Sequence, residues 1–469
     1  MTGSQRVTKA CPIEPGSFRD RSNRVFYKKD TVFRYLNPTA LEAWQKLSST
    51  KCFSSGMASG KIIHTEAIAC TEPLPEPWVA LLKHERVPFI SYPYEWSFGM
   101  LKDAALLHLM LLLDAIKEGF ILKDASAYNI QWRGTKPVFI DVGSFEPYRP
   151  GTPWMGYRQF CELFLYPLFL SAYKGLPFQP WLRGNLNGIS AADCMRVMSC
   201  RDWLRPGVAT HVCLQRRLQD RYSGTPETIK QELHGAGFHA ELIRVNVKRL
   251  HRLVEGLALS TESSAWAGYA NQNEYDASAQ QHKERFVREV LRSRRWHRVW
   301  DLGCNTGVYS RMAAEHADSV VAMDSDIACI ERLYQRLRQD EHATILPLVM
   351  PLTDPSPNRG WRLLERKGLA ERGKPDLVFC LALIHHMVIT ENVPLQEWMD
   401  MLADLGASLV IEFITRADPM VQTLLRNKDD LYTDYDLPGF EQCLKDTFTL
   451  EKREAIIPER RFLYFATPR

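Results

Sequence analysis

Residues 298–326, RVWDLGCNTGVYSRMAAEHADSVVAMDSD, leave this chain few folds to choose from. "RVWDL" is a short β-branched and aromatic run ending in an acid, as a buried strand reads. "GCNTG" follows as a turn, "VYSRMAAEHA" has helical spacing, and "SVVAMD" is a second apolar run, again closing on an acid. Strand, glycine turn, helix and strand in that order predict half of a nucleotide-binding βαβ unit. Gly303 and Gly307 are expected to let the backbone pass close to a ligand, where a side chain would collide with it. Asp324, 21 residues after Gly303, is expected to accept hydrogen bonds from both hydroxyls of a ribose.

The spacing argues against a dinucleotide. That fingerprint wants G-x-G-x-x-G, with a helix N-terminus facing the pyrophosphate. Here the pattern is D-x-G-x-N-x-G, with Asp301 in the last turn of the strand. A carboxylate there repels phosphate and attracts a cation. S-adenosylmethionine, an adenosine carrying an ammonium and a sulfonium, is such a ligand. At these residues the chain resembles the class I, Rossmann-like S-adenosylmethionine-dependent methyltransferases. The resemblance covers roughly the last 200 residues. The usual middle glycine is Asn305, which can also adopt positive φ. The resemblance implies a first cofactor loop of Asp301, Gly303, Asn305 and Gly307, with Asp324 on the ribose. Pro351 stands where an adenine-binding acid is expected, and Asp354 is the nearest acid.

A chain of 469 residues is too long for one ordinary core, so two or three domains are expected. A net charge of +4 gives no support for nucleic-acid binding through a strongly basic surface. Eleven cysteines without a CxxC pair or a signal-like N-terminus point to reduced thiols in a cytoplasm. The longest apolar runs are too short or too interrupted to span a bilayer.

Before the βαβ unit the chain reads as a leader over 1–22, an α+β domain over 23–255 and a polar linker over 256–280. "RVFYKKDTVFRYL" is a hairpin around Lys29 and Asp30. "WVALLKHE" reads as a helix, and Ser97 and Gly119 bracket a long one. "FILKDASAYNIQWRGTKPVFIDVG" resembles the catalytic and metal-binding loops of kinase-like phosphotransferases. That resemblance implies Asp124 as base, with Asn129 and Asp141 as magnesium ligands. Leu122 stands where those enzymes carry His, and no glycine-rich phosphate loop precedes the hairpin. Lys248, Arg249 and Arg252 are expected on a solvated helix face, and His211 in a helix or core. In the linker, Tyr269 and Tyr275 are candidates to contact ligand.

From 281 to 469 the alternation of apolar runs and helical segments predicts a doubly wound sheet, with strands at "ATILPLVM", "PDLVFC", "ASLVIEFI" and "FLYFATP". His385 and His386 follow the fourth strand, at the edge where such sheets bind ligands. One of them is a candidate base, its free pKa being near neutrality. Glu412 is a candidate to position an acceptor. Adjacent histidines point in different directions, and no further ligands recur at metal spacing, so no metal is expected.

Several phrases along the whole chain, among them "SYPYEWSFGMLKDAALL", "LKDASAYNIQW", "FIDVGSFEPY", "DLGCNTG" and "LALIHH", resemble the rhizobial NoeA-like nodulation family. That resemblance implies a cytoplasmic methyltransferase in host-specific nodulation, acting on a small metabolite, a nodulation signal or a surface glycan. Phosphotransfer through Asp124, Asn129 and Asp141, or a non-catalytic nucleotide-binding scaffold, are the competing expectations. Neither the oligomeric state nor the acceptor is legible.

Overall fold

The hairpin around Lys29 turns through a left-handed residue, φ 52°, and pairs Lys28 with Thr31. A computed structural model describes residues 13–70, 73–214, 240–259, 277–340, 344–426, 428 and 432–469. Tyr269 and Tyr275 lie outside the described residues. The chain divides into two units. Unit 1 comprises Met1–Trp132, Pro137–Glu262 and Arg359–Arg366, and unit 2 comprises Arg133–Lys136, Ser263–Asn358 and Lys367–Arg469.

In unit 1, β1 (Asn23–Lys28), β2 (Thr31–Leu36), β3 (Thr65–Ile68) and β4 (Ala80–His84) form an antiparallel sheet in the order β1-β2-β4-β3. Phe26, Phe33, Tyr35 and Leu81 form its apolar core, with the Phe26 and Tyr35 rings 4.5 Å apart. Helices α1 (Pro38–Ser48) and α2 (Lys51–Ala58) lie between β2 and β3 in the chain. β4 corrects the expected helix at "WVALLKHE". The segment pairs with β2 on one side and β3 on the other, so the sheet satisfies its backbone where a short helix would satisfy only itself. Thr65 and His84, opposite one another across β3 and β4, are joined Oγ1 to Nδ1 at 2.9 Å.

Helix α3 (Phe98–Lys117) is the spine of unit 1. The Ser97 hydroxyl accepts from the Met100 N–H at its start, and Gly119, φ +77°, follows its end. Thirteen of its residues are buried, including His108. Neither His108 nitrogen has a hydrogen-bond partner, and burial pushes its pKa down to about 3, so the ring is neutral and serves as core. Next come β5 (Phe120–Leu122), the hairpin β6 (Ile130–Arg133) and β7 (Lys136–Phe139), and β8 (Phe145–Pro147). His211 sits in a short helical turn with its Nδ1 2.6 Å from the Tyr157 hydroxyl. Lys248, Arg249 and Arg252 are exposed on α4 (Ala240–Gly256).

Unit 2 is a Rossmann-like sheet of seven strands. They are β9 (Trp296–Leu302), β10 (Ala317–Asp324), β11 (Ile345–Val349), β12 (Leu377–Cys380), β13 (Ser408–Ile414), β14 (Phe448–Ile457) and β15 (Arg461–Pro468). Their order is β11-β10-β9-β12-β13-β15-β14. β9 to β13 run parallel, while β15 is antiparallel to both of its neighbours. Among the helices of this unit are α5 (Ala277–Arg292), α6 (Val308–Ala314) and α7 (Ile327–Gln339). The chain leaves β9 toward β10 and β11, then returns to the other side of β9 as β12. That reversal opens a crevice beyond the carboxyl ends of β9 and β12.

β14 was not anticipated. Its side chains alternate around Glu451, Lys452, Arg453 and Glu454, so its period of two carries charges, as suits an edge strand. The ten described cysteines are all free. Among the described residues no helix is long and apolar enough to cross a membrane.

Candidate cofactor site at the carboxyl edge of the large sheet

The turn after β9 and the end of β10 meet here. The N–H groups of Gly303 and Cys304 both donate to the Met323 carbonyl, at 2.9 and 3.0 Å. The Asn305 N–H donates to Asp324 Oδ2 at 2.8 Å, and the Asp326 N–H donates to Oδ1 at 2.9 Å. Both Asp324 oxygens thus hold backbone donors, and the Ser325 N–H acts on the same carboxylate. Asp326 caps α7 by accepting from the N–H groups of Ala328 and Cys329.

Gly303, Asn305 and Gly307 all take left-handed backbone, at φ 69°, 49° and 79°. A Cβ on Gly303 would come 3.1 Å from Leu383 Cδ1, and one on Gly307 would come 2.4 Å from Leu333 Cδ1. These contacts give the two glycines a packing role inside the protein. The side chains they avoid belong to the protein: the β12 exit at Leu383 and helix α7 at Leu333. The Gly303–Leu383 approach brings the β12 exit against the glycine turn.

Asp301 is buried at the end of β9. Its Oδ2 accepts from the Ser310 hydroxyl at 2.5 Å. Burial raises its pKa to about 6. Ser310 acts against that rise, the Asp324 carboxylate adds to it, and Lys283 partly offsets it. Burial also raises Asp324, against the backbone donors of Asp326 and Asn305. A buried carboxylate and a half-buried one, the second raising the pKa of the first, form a site whose ionised state a cation would stabilise.

His385 follows two residues after Leu383 and is buried, with Nδ1 unpartnered. Its ring lies 4.1 Å from that of His386. Burial, then His386, Arg461 and Lys283, hold His385 far below the usual histidine range. Burial lowers His386 as well. His385 is therefore neutral at pH 7 and can accept a proton only weakly.

Glu412 is fully buried, with Oε2 2.6 Å from the Lys283 ammonium and Oε1 3.6 Å from Arg461, which also holds Asp418 at 2.7 Å. Lys283 lies 4.9 Å from the centre of the Tyr309 ring. Sequence reasoning missed Lys283, Ser310 and Arg461. A signal for Lys283 was present. It occupies the apolar stripe of α5, four residues after Ala279 and three and four before Phe286 and Val287, all buried.

The second set of expected residues lies in unit 1. Asp124 follows β5. Asn129 closes a 3-10 turn, and its carbonyl accepts from the Ile140 N–H. Asp141 Oδ1 is 2.9 Å from the Arg34 guanidinium, which rises from β2 and also donates to Asn23 Oδ1. Burial, then Asp141, raise the pKa of Asp124, and Lys123 acts against them. Among the described residues no group of three or more His, Cys, Asp or Glu is placed to hold a metal ion.

Over 453 residues, covering 96% of this chain and 94% of its relative, the sequence is 33% identical to the nodulation protein NoeA of Rhizobium meliloti (strain 1021). The chain belongs to the NoeA family. No model of a known protein family matches it. Among solved structures, the N-methyltransferase NodS from Bradyrhizobium japonicum WM9 is 14% identical, with 41% of this chain aligned to 99% of that one at a TM-score of 0.30. Magnesium protoporphyrin IX methyltransferase (ChlM) from Synechocystis PCC 6803, with S-adenosylhomocysteine bound, is 16% identical over 44% and 92% of the two chains at 0.30. Likenesses of that size carry no weight. The Rossmann-like fold of this NoeA relative rests on its own strand order and crevice.

Proposed function

We propose that unit 2 of this NoeA-family protein is an S-adenosylmethionine-dependent methyltransferase, acting on a small metabolite or glycan acceptor in host-specific nodulation. The observation that carries the reading is the pair of carboxylates, buried Asp301 and half-buried Asp324, flanking a glycine turn at the switch point of the sheet. A pyrophosphate would add charge of the same sign, whereas a cationic adenosine derivative relieves it. In this reading Asp324 takes the ribose hydroxyls, and the left-handed turn 303–307 shapes the loop beside the ligand. When bound, the cofactor supplies a methyl group already activated by its sulfonium. The protein's part is to align an acceptor with it.

In this reading His385, neutral and two residues beyond Leu383, orients an acceptor and is at most a weak base. Glu412, locked to Lys283, holds position and does not act as a base. The test is a thermal shift of the full chain with S-adenosylmethionine and S-adenosylhomocysteine. Ligand at one hundred times Kd stabilises by about 2.7 kcal/mol. Asp324→Asn, which keeps an acceptor for the Asn305 N–H, should abolish that shift. If millimolar ligand leaves the melting temperature unmoved, the reading falls. Methyl-labelling of metabolite and glycan extracts, parent against Asp324→Asn, then identifies the acceptor.

A second reading concerns unit 1. Arg34 on the antiparallel sheet reaches Asp141, and burial, then the Asp141 carboxylate, raise the pKa of Asp124. This supports a kinase-like phosphate site in which Arg34 takes the place of the missing lysine. A magnesium-dependent shift with ATP that disappears in Asp141→Asn would establish it. A shift in neither protein would remove it. A scaffold that binds without turnover would show ligand-induced shifts and no labelled product from any extract.

A further inference from the structure

Residues 359–366 form a short hairpin in unit 1, closed by the Arg359–Arg366 bridge. It is held firmly. The Arg359 N–H donates to the Arg366 carbonyl at 2.8 Å, and the Glu365 and Arg366 N–H groups both donate to the Arg359 carbonyl. Glu365, nearly fully covered, takes a two-pronged bond from Arg19, and the Arg366 guanidinium stacks 4.2 Å from the centre of the Tyr128 ring. From this clamp the tip WRLL projects into solvent. Trp361 is 66% exposed, Leu363 62% and Leu364 41%. Arg362 and Leu363 both take left-handed backbone, φ 55° and 59°, a conformation that residues with side chains avoid. A tied hairpin with two successive strained residues thus holds three large apolar side chains in water, beside Arg362.

Charge identifies what the tip meets. From 359 to 366 the chain carries three basic residues, Arg359, Arg362 and Arg366, against one acid, Glu365, which Arg19 already neutralises. Three side chains on a protruding tip are too few for a stable protein interface, which needs roughly 800 Å² per partner. Trp and Leu flanked by arginine suit the boundary between lipid headgroups and acyl chains, where the ring and the aliphatic side chains leave water and the guanidinium stays with phosphate. We propose that this tip is a foot that inserts Trp361, Leu363 and Leu364 into an anionic lipid surface, making the protein a peripheral membrane binder. The inference stands independently of methyl transfer.

The test is co-sedimentation of the full chain with vesicles of phosphatidylcholine, and of phosphatidylcholine containing one part in three phosphatidylglycerol. The parent should partition onto the anionic vesicles and little onto the neutral ones. The triple variant Trp361→Ser/Leu363→Ser/Leu364→Ser, and separately Arg362→Glu, should each lose about tenfold in partition with unchanged melting. Lys248→Glu/Arg249→Glu, on the solvated face of α4, should lose far less. Equal partition onto both vesicle types would overturn the proposal. So would an undiminished triple variant, an equal loss in the α4 variant, or a triple variant that only breaks a dimer of the parent.

Discussion

Asp301 concentrates the chemistry of the candidate site in one carboxyl group. Burial lifts it from an ordinary value of 3.8 to about 6. Between those values the folded protein holds a proton that the unfolded chain has lost. Its contribution to stability is therefore complete below pH 3.8 and is lost as pH rises through 6. A cationic ligand needs the ionised form and should show the opposite trend. We expect S-adenosylmethionine to bind about tenfold more weakly at pH 5 than at pH 7.5, by calorimetric titration, and Asp301→Asn to flatten the profile. An unchanged Kd across that range would separate Asp301 from the ligand.

Gly307 makes a second residue-scale prediction. Alanine there must hold φ near +79° and drive a methyl into Leu333, so Gly307→Ala should cost about 2–4 kcal/mol in urea unfolding. Gly406, φ +65° with nothing within 4 Å, provides the contrast, and its alanine variant should cost only about 1 kcal/mol. Equal losses would show that contact with α7 is unimportant.

Among the elements, α5 is the one whose reading changed most. Its period marks an ordinary amphipathic helix, yet it carries Lys283 on the buried stripe to meet Glu412 of β13. Removing the lysine takes from the fully buried Glu412 its 2.6 Å partner and leaves Arg461 at 3.6 Å. Lys283→Met should therefore destabilise unit 2 by about 3–5 kcal/mol, and Lys283→Met/Glu412→Leu should regain most of it. If the double variant is no better than the single, Glu412 is satisfied without the lysine. The two misread strands share one physical cause. β4 is short and proline-flanked, and β14 alternates charges, so neither shows an apolar period of two. Each is a strand because its neighbours offer a ladder of hydrogen bonds, and that depends on residues far away in the chain.

For the whole molecule, the division into units is not a simple cut of the chain, because unit 1 takes in residues 359–366. A fragment of residues 1–262 lacks Glu365 for Arg19 and Arg366 for Tyr128. It should melt several degrees below the corresponding transition of the full chain, and identical melting would show that the hairpin adds nothing.

The sequence by itself determined the βαβ unit, the parallel strands from β9 to β13, the positions of Asp301, Gly303, Asn305, Gly307 and Asp324, and the β1–β2 hairpin. All of these are written in local periods, turn residues and short spacings. Only the tertiary structure decided that Gly307 makes room for Leu333, that Lys283 neutralises Glu412, that Arg34 faces Asp141, and that the hairpin at 359–366 belongs to unit 1. These are matters of which distant side chains meet and lose their water. A local pattern sets a backbone, whereas burial and pairing of charge are settled when remote segments come together.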